Sequence, residues 1–386
     1  MDKFNMVAKT LMGLEQVLAD EIASIGGEDI ELGYRAVEFR GTIETMYKAN
    51  LLLRTAMRIL VPIASFDAYN EKAYYDQIRL IEWDKFMNKE DTLAVDAIVC
   101  TSFSTHSHYV ALKAKDAIVD YFRDKYGIRP SVDTFRPTLQ VNIHLSKDHC
   151  TVSLDSSGEP LFKRGYREAA VEAPLSEVLA AGILKLTGWD KQTPLYDPMC
   201  GSGTFLTEAA MMATNTPPQI MRRHFTFQYW MDFDKDLWIR LKKEAYEAVT
   251  PLSTPIVGSD RDRNALIATR KNLVSLGLED QISLKHVSFE DSHPPFESGM
   301  IVMNPPYNER LRESENEEMY KIMGDQLKKT YQGYTAWIIS SDLQAIKCIG
   351  LHASKRISTM NGSLDCKLLR YDLYSGSKKA KYNVNN

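Results

Sequence analysis

Apolar residues along this chain fall into runs and stripes whose spacing predicts an alternation of strands and helices. Between Met6 and Ile25 the positions Val7, Leu11, Leu14, Val17, Leu18 and Ile22 pass from strand-like to helical spacing, and Gly26-Gly27 closes that helix. Alternation over residues 36–40 predicts a strand, and 43–53 a helix. A strand over 93–99, a loop of small polar residues and a helix over 111–126 follow. The alternating stretches 139–145 and 150–154 read as a hairpin around Ser146-Lys147-Asp148, and 155–160 reads as a linker. Beyond it, 176–186 has helical spacing and a sheet begins at Leu195. Residues 335–341 form a further buried strand, and Asn361-Gly362 marks a hairpin between 356–360 and 363–369. The tail after Tyr374 is polar and frays.

Three of the predicted strands end in residues that carry chemistry. The run Ile301-Val302-Met303 stops at Asn304-Pro305-Pro306-Tyr307. Proline continues neither a ladder nor a helix, so the backbone leaves the sheet stiffly after Asn304. The Asn304 amide oxygen and the Pro305 carbonyl can accept hydrogen bonds from an NH2 group, and the Tyr307 ring can stack on a flat face beside it. Upstream, Leu195-Tyr196-Asp197 leads into Pro198-Met199-Cys200-Gly201-Ser202-Gly203-Thr204 and then a run of helix formers. Its glycines admit close approach of the backbone to a bound molecule, and the helix start offers free N–H groups. The third glycine of a dinucleotide fingerprint and the lysine of a P-loop are missing, which counts against nicotinamide and nucleoside triphosphate ligands. The third strand, Ile256-Val257-Gly258-Ser259-Asp260, ends in an acid before a helix start at Arg261. Asp260 reads either as a partner for ribose hydroxyls or as a helix cap. Each switch lies at the carboxyl end of a strand, where open parallel sheets bind ligands. Cys200, inside the glycine loop, reads as a packing residue rather than a catalytic thiol.

Bulk properties add limits. At 386 residues there is room for two or three domains. No apolar run is long enough to span a bilayer, and Met1-Asp2-Lys3-Phe4-Asn5 does not begin a secretory signal. The five cysteines are scattered without a Cys-x-x-Cys pair, so a reduced, cytoplasmic protein with no metal is expected. A formal charge of −4 is not that of a general phosphate binder, so any nucleic-acid binding must rest on local basic surface. Candidates are Lys113 with Lys115, Arg129 with Arg123 and Lys125, Lys163 with Arg164 and Arg167, Arg222 with Arg223, and Lys378 with Lys379 and Lys381.

With these motifs in place, the chain resembles the S-adenosylmethionine-dependent amino-group methyltransferases. It is most similar to the RlmL-type 23S rRNA guanine-N2 methyltransferases, often labelled N6-adenine DNA methylases. The resemblance covers essentially the whole chain, through residues 161–167, Ala173-Pro174-Leu175, the Asp197–Thr204 loop, Ser259-Asp260, 304–307 and Glu309-Arg310-Leu311. It implies an α/β fold: a Rossmann-like methyltransferase domain over 160–386 whose last strand runs antiparallel. The N-terminal region would be α+β, with a ferredoxin-like segment over 1–44 and a THUMP RNA-binding domain over 45–155. The THUMP likeness rests on residues 8–15, 101–107, 113–121 and 129–133, and implies a structured RNA substrate.

By the same resemblance, residues 197–204 wrap the methionine part of S-adenosylmethionine, Asp260 with Arg261 binds its ribose, and Asn304 adjoins it. Ser288-Phe289 stands where the family carries Asp-Phe, so the ring is kept and the acid is lost, with Asp291 as a substitute. Asn308 stands where the family usually has Gly. Asn304, Pro305, Pro306 and Tyr307 form the catalytic motif, and Lys163, Arg164, Arg167, Lys113, Lys115 and Arg129 the RNA-binding set. The segment 225–238 reads as an insertion shielding the cofactor, its aromatics forming core. Two rival readings stay open: a tRNA guanine-N2 or adenine-N6 enzyme, and a non-catalytic RNA assembly factor with a vestigial pocket.

Overall fold

The computed structural model describes residues 2–100, 106–169, 174–306 and 313–374. Two compact units emerge, and neither is a continuous stretch of sequence. The first gathers the chain up to Thr10, Leu18–Leu161 and Met221–Glu244; the second takes Leu11–Val17, Phe162–Ile220 and the chain from Ala245 onward.

The first unit is built from β1 (Phe4–Lys9), α1 (Glu15–Ser24), β2 (Glu28–Gly33), β3 (Ala36–Gly41), α2 (Ile43–Leu52), β4 (Arg58–Asp67), α3 (Glu71–Arg79), β5 (Thr92–Cys100), α4 (Ser107–Tyr126), β6 (Ser131–Val132), β7 (Leu139–Ser146) and β8 (His149–Asp155). Its eight strands form one mixed sheet in the order β2-β3-β1-β4-β8-β7-β5-β6. Leu93, Leu139, Val141, Ile143, Val152 and Leu154 point to one face by the period-2 rule, and there meet Val110, Ile118 and Phe122 of α4. The expected hairpin is β7–β8, turning at Lys147 with a positive φ of 55°.

Residues 155–160, expected as a linker, are instead a built part of this unit. Asp155, Ser156 and Ser157 are buried. Asp155 pairs with Arg58 and accepts hydrogen bonds from the backbone N–H of Ser157 (2.9 Å) and Gly158 (3.2 Å). Asn50 donates to Ser156 Oγ (2.8 Å) and accepts from Ser157 Oγ (2.7 Å). The stretch is polar because its members satisfy one another's buried groups, not because water surrounds it.

A second correction concerns residues 225–238. They pack in the first unit, and the ligand cavity described below includes none of them. Tyr47 of α2 stacks on Phe227 (4.5 Å between ring centroids, 23° between planes) and meets Trp238 edge-on at 5.8 Å. Its hydroxyl accepts a hydrogen bond from the Asp234 N–H at 2.9 Å. Burial pushes the phenol up to about 12. The reading of these aromatics as core holds.

The remaining elements are α5 (Glu177–Leu186), β9 (Leu195–Asp197), α6 (Thr204–Ala213), α7 (Lys235–Glu247), β10 (Ile256–Asp260), α8 (Arg263–Val274), β11 (Ser283–His286), β12 (Met300–Met303), α9 (Glu313–Thr330), β13 (Thr335–Ser340), β14 (Lys355–Asn361) and β15 (Leu364–Asp372). The second unit's sheet runs β11-β10-β9-β12-β13-β15-β14. The first five strands are parallel, while β15 pairs antiparallel with both β13 and β14. Helices account for the near-continuous apolar reading of Ile301, Val302 and Met303, all at most 1% exposed, since parallel strands are covered on both faces. The Asn361-Gly362 hairpin forms as expected, with Gly362 at φ 63°.

The aromatic packing can be tested directly. Tyr47→Ala should destabilise the first unit by about 3–5 kcal/mol, as large-to-small changes of buried rings do. Tyr47→Phe keeps the stack and should cost only about 1 kcal/mol. Thermal unfolding of the two variants separates these values; equal losses would mean that the ring stack is not what holds the segment.

Candidate functional site

Strand order creates the site. From β9 the chain continues to β10 on one side and returns to β12 on the other, so the carboxyl ends of three adjacent parallel strands converge. They deliver Asp197, Asp260 and Asn304 to one cavity of about 760 Å³, lined also by Met199, Cys200, Gly201, Ser202, Thr204, Arg261, Ser288, Phe289 and Pro306.

The loop after β9 lies tightly on the sheet. Cys200 N–H donates to the Ser259 carbonyl (3.0 Å), Gly201 N–H to Asp260 Oδ2 (2.9 Å), and Gly203 N–H to the Cys200 carbonyl (2.8 Å). Gly203 sits at φ 78°, and a Cβ there would come within 2.6 Å of Thr269 Cγ2. At Gly258 a Cβ would meet Leu206 Cδ1 at 2.4 Å, so β10 needs glycine to let α6 approach. Thr269 Oγ1 donates to the Gly201 carbonyl (2.7 Å) and Asn272 Nδ2 to the Ser202 carbonyl (2.9 Å).

Asp197 is 1% exposed and accepts a hydrogen bond from Met199 N–H at 3.2 Å. Burial, with Asp260 adding to it, holds its carboxyl well above the usual carboxylate range. Burial likewise pushes the Cys200 thiol up, which suits packing and not nucleophilic attack. Asp260 accepts a second N–H, from Asp262 (2.9 Å), while Asp262 itself caps α8 through Asn264 N–H. Asn304 Oδ1 is buried and accepts no hydrogen bond from the described residues. An orphaned acceptor in such a place costs about 1–3 kcal/mol unless something supplies a donor.

Of the site residues read from sequence, Asp197–Ser202, Thr204, Asp260, Arg261, Ser288, Phe289, Asn304 and Pro306 line this cavity, with Gly203 and Pro305 buried behind the lining. Tyr307, with Asn308 and Glu309-Arg310-Leu311, lies outside the described residues, as do 101–105, Ala173 and the lysines of 378–381. Asp291 is exposed and off the lining, accepting a hydrogen bond from Ser288 Oγ at 2.7 Å; Glu290 is the acid that lines the cavity there.

Two of the arginines expected to face RNA do not. Arg164 is 1% exposed and its guanidinium is committed to Glu208 (3.2 Å), which also accepts from Tyr166 OH. Arg167 fans out to Glu177 Oε1 (2.7 Å), Ser202 Oγ (3.0 Å), Thr204 Oγ1 (3.0 Å) and the Leu175 carbonyl (3.2 Å). It clamps the glycine loop from behind. Lys163 is exposed. Lys113 pairs with Glu71 (2.7 Å), and Lys115 and Arg129 both approach Asp116. Sequence reasoning missed Thr269, Asn272 and the α9 residues Glu315, Glu318, Met319 and Ile322, which form a further wall. A signal existed for the first two: polar residues within the buried stripe Ala265, Ala268, Leu273 of α8.

Comparison with known proteins follows the same outline. A family profile described as an RMKL-like methyltransferase domain matches residues 164–370, an RlmL ferredoxin-like domain matches 5–60, and a THUMP domain matches 68–155. A protein of Synechocystis sp., provisionally named an RNA methyltransferase, is 39% identical over 95% of this chain and 96% of its own length. Ribosomal RNA large subunit methyltransferase K/L of Syntrophotalea carbinolica is 37% identical over 94% of this chain, which spans only 52% of that protein. Among solved structures, a provisionally assigned methyltransferase complexed with SAH is 30% identical, with a TM-score of 0.86 over 98% of this chain and 100% of that one.

The close approach at Gly203 has a built-in control. Gly188 also has a positive φ (73°), but a Cβ there meets nothing within 4 Å. Gly188→Ala should therefore cost only the backbone strain of about 1 kcal/mol. Gly203→Ala adds the clash with Thr269 and should lower the melting temperature by clearly more; equal shifts would show that the loop is not held against α8.

Proposed function

This chain belongs to the RMKL-like methyltransferase family, and we propose that it is a cytoplasmic enzyme that methylates the exocyclic N2 amine of a guanine in 23S ribosomal RNA, using S-adenosylmethionine. The observation that carries this reading is Asn304, which lines the same cavity as the acids that end β9 and β10 and whose buried Oδ1 has no hydrogen-bond donor among the described residues.

The residues present fit the cofactor. The cavity is large enough, the glycine loop leaves room where a side chain would intrude, and the acids suit a ligand with positive charge and hydroxyl groups. Asp197 and the 198–204 loop would hold its methionine end, Asp260 with Arg261 its ribose, and Phe289 its flat adenine, with Glu290 rather than Asp291 as the nearby acid. When bound, the cofactor supplies an electrophilic methyl group on a sulfonium.

The chain's own part is alignment and electrostatics. An aryl amine is a poor nucleophile because its lone pair is delocalised into the ring. Asn304 accepting one N–H favours a pyramidal nitrogen with its lone pair free. The same acceptor stabilises the positive charge that develops on nitrogen before a proton departs to water. Tyr307 would stack on the base once it has left its own stack.

Incubation with ribosomal RNA and labelled cofactor, followed by nucleoside analysis, should give N2-methylguanosine; N6-methyladenosine, or label in tRNA alone, would replace the proposal by one of its rivals. Asn304→Ala should abolish turnover while leaving cofactor affinity nearly unchanged, and equal loss of both would refute that division of labour.

Asp197→Asn gives a test of opposite sign in two assays. A carboxyl whose folded pKa is raised contributes stability below about pH 4 and loses it as pH rises through the folded value. Removing the charge should therefore raise the melting temperature of the free protein at pH 7 and weaken cofactor binding. The wild-type affinity should climb with pH until Asp197 is ionised in the free chain. A calorimetric titration series showing the same climb in the Asn variant would exclude Asp197 as its origin.

A further inference from the structure

The surface cations first expected to meet RNA are mostly spoken for within the first unit. Lys113 is bound to Glu71, which Tyr109 OH also approaches at 2.7 Å, and Asp116 sits beside both Lys115 and Arg129. Lys125 is held by Asp84, and Arg123 by Asp120. Acidic partners at this range cancel much of the potential that would attract phosphate.

One place on this unit differs. The loop after β6 presents Phe135 with 79% of its surface exposed, the most open of the exposed phenylalanine, tyrosine and leucine side chains among the described residues. The Arg136 guanidinium lies 5.7 Å from that ring's centroid, and its acidic neighbour is Asp133, which it meets through charge without a direct ion pair. The loop is pre-set rather than slack. Asp133 Oδ1 accepts hydrogen bonds from both Phe135 N–H (2.8 Å) and Arg136 N–H (3.0 Å), and Asp133 N–H is tied to the Leu93 carbonyl (3.1 Å). Those backbone hydrogen bonds, from Arg136 first and Phe135 next, with the Arg136 charge adding to them, hold the Asp133 carboxyl below its usual range. Beside the loop, β6 is the last strand of the eight-stranded sheet, and Val132 on it is half-exposed.

The hydrogen bonds to Asp133 order the backbone that carries Phe135, and the ring above it has open surface on which a flat apolar group can pack. A ring with an adjoining guanidinium is the combination that single-stranded nucleic acid uses: the base stacks on the ring face, and the cation meets the phosphate. We propose that Phe135 and Arg136 form a stacking platform for an unpaired nucleobase of the RNA substrate, a contact point in the first unit apart from the methyl-transfer cavity. This rests on the RNA reading above. It explains how a chain with a charge of −4 holds RNA: by stacking on an exposed base, with little bulk electrostatics.

Direct binding of the full-length protein to a labelled unstructured RNA oligonucleotide and to a labelled RNA duplex tests this without any need for turnover. Phe135→Ala should weaken binding to the unstructured RNA roughly ten-fold and leave duplex binding unchanged, since paired bases offer no free face. Phe135→Tyr should restore it. Arg136→Gln should weaken binding and make the salt dependence shallower by about 0.7 in the log–log slope. Melting curves of all three variants should match the wild type, because both side chains lie outside the core. Wild-type binding to unstructured RNA that Phe135→Ala leaves intact overturns the platform while sparing the RNA reading. No binding of the wild type to either RNA overturns both.

Discussion

The parallel pairing of β9 with β10 on one side and β12 on the other is the constraint on which the site depends. Pairing of Gly258 with Asp197, and of Ile301 with Tyr196, fixes how far each strand runs before it ends. Loops that are distant in sequence then open at the same edge. Asp197, Asp260 and Asn304 meet because backbone ladders bring them there, and the side chains only finish the arrangement. The buried row of Tyr196, Val257 and Ile301 is thus as important to the chemistry as the polar residues, since it holds the three strands in the register that brings their ends together.

Behind the cavity stands a polar scaffold. Arg167 holds Ser202 and Thr204; Asn272 and Thr269 hold the carbonyls of Ser202 and Gly201. Beneath Phe289, the Tyr331 ring is stacked at 5.5 Å and is itself stacked on Tyr196 at 6.0 Å, with its hydroxyl paired to Ser292. A pocket for a flat, charged ligand is hard to keep open and rigid at once. Here rigidity comes from hydrogen bonds that end on loop carbonyls and from rings that end on the strand floor.

Much of this was legible in sequence, for reasons that can be stated. The run Ile301-Val302-Met303 was readable as a strand because burial on both faces demands an unbroken apolar run, and the prolines after Asn304 mark its end. Asn361-Gly362 was readable because few dipeptides adopt that turn. Residues 155–158 misled because serine, aspartate and glycine look alike whether they face water or one another; the partners Asn50 and Arg58 lie about a hundred residues away. Arg164 misled for the same reason: its neighbours in sequence are basic, while its true partner, Glu208, is 44 positions distant. Local pattern reports periodicity and turns well, and reports long-range polar pairing not at all.

The discontinuous make-up of the first unit has a consequence for biogenesis. Asp234 reaches Tyr47 across 187 positions of chain. A ribosome adding about 5–20 residues per second needs roughly 10–40 s to cross that interval. Throughout it, Tyr47 of α2 lacks the rings of Phe227 and Trp238 that pack on it in the finished unit. Vectorial completion of this unit is therefore impossible: its last piece emerges only after β9 and α6 have been made, so the newborn chain must keep a greasy ring patch out of trouble until then.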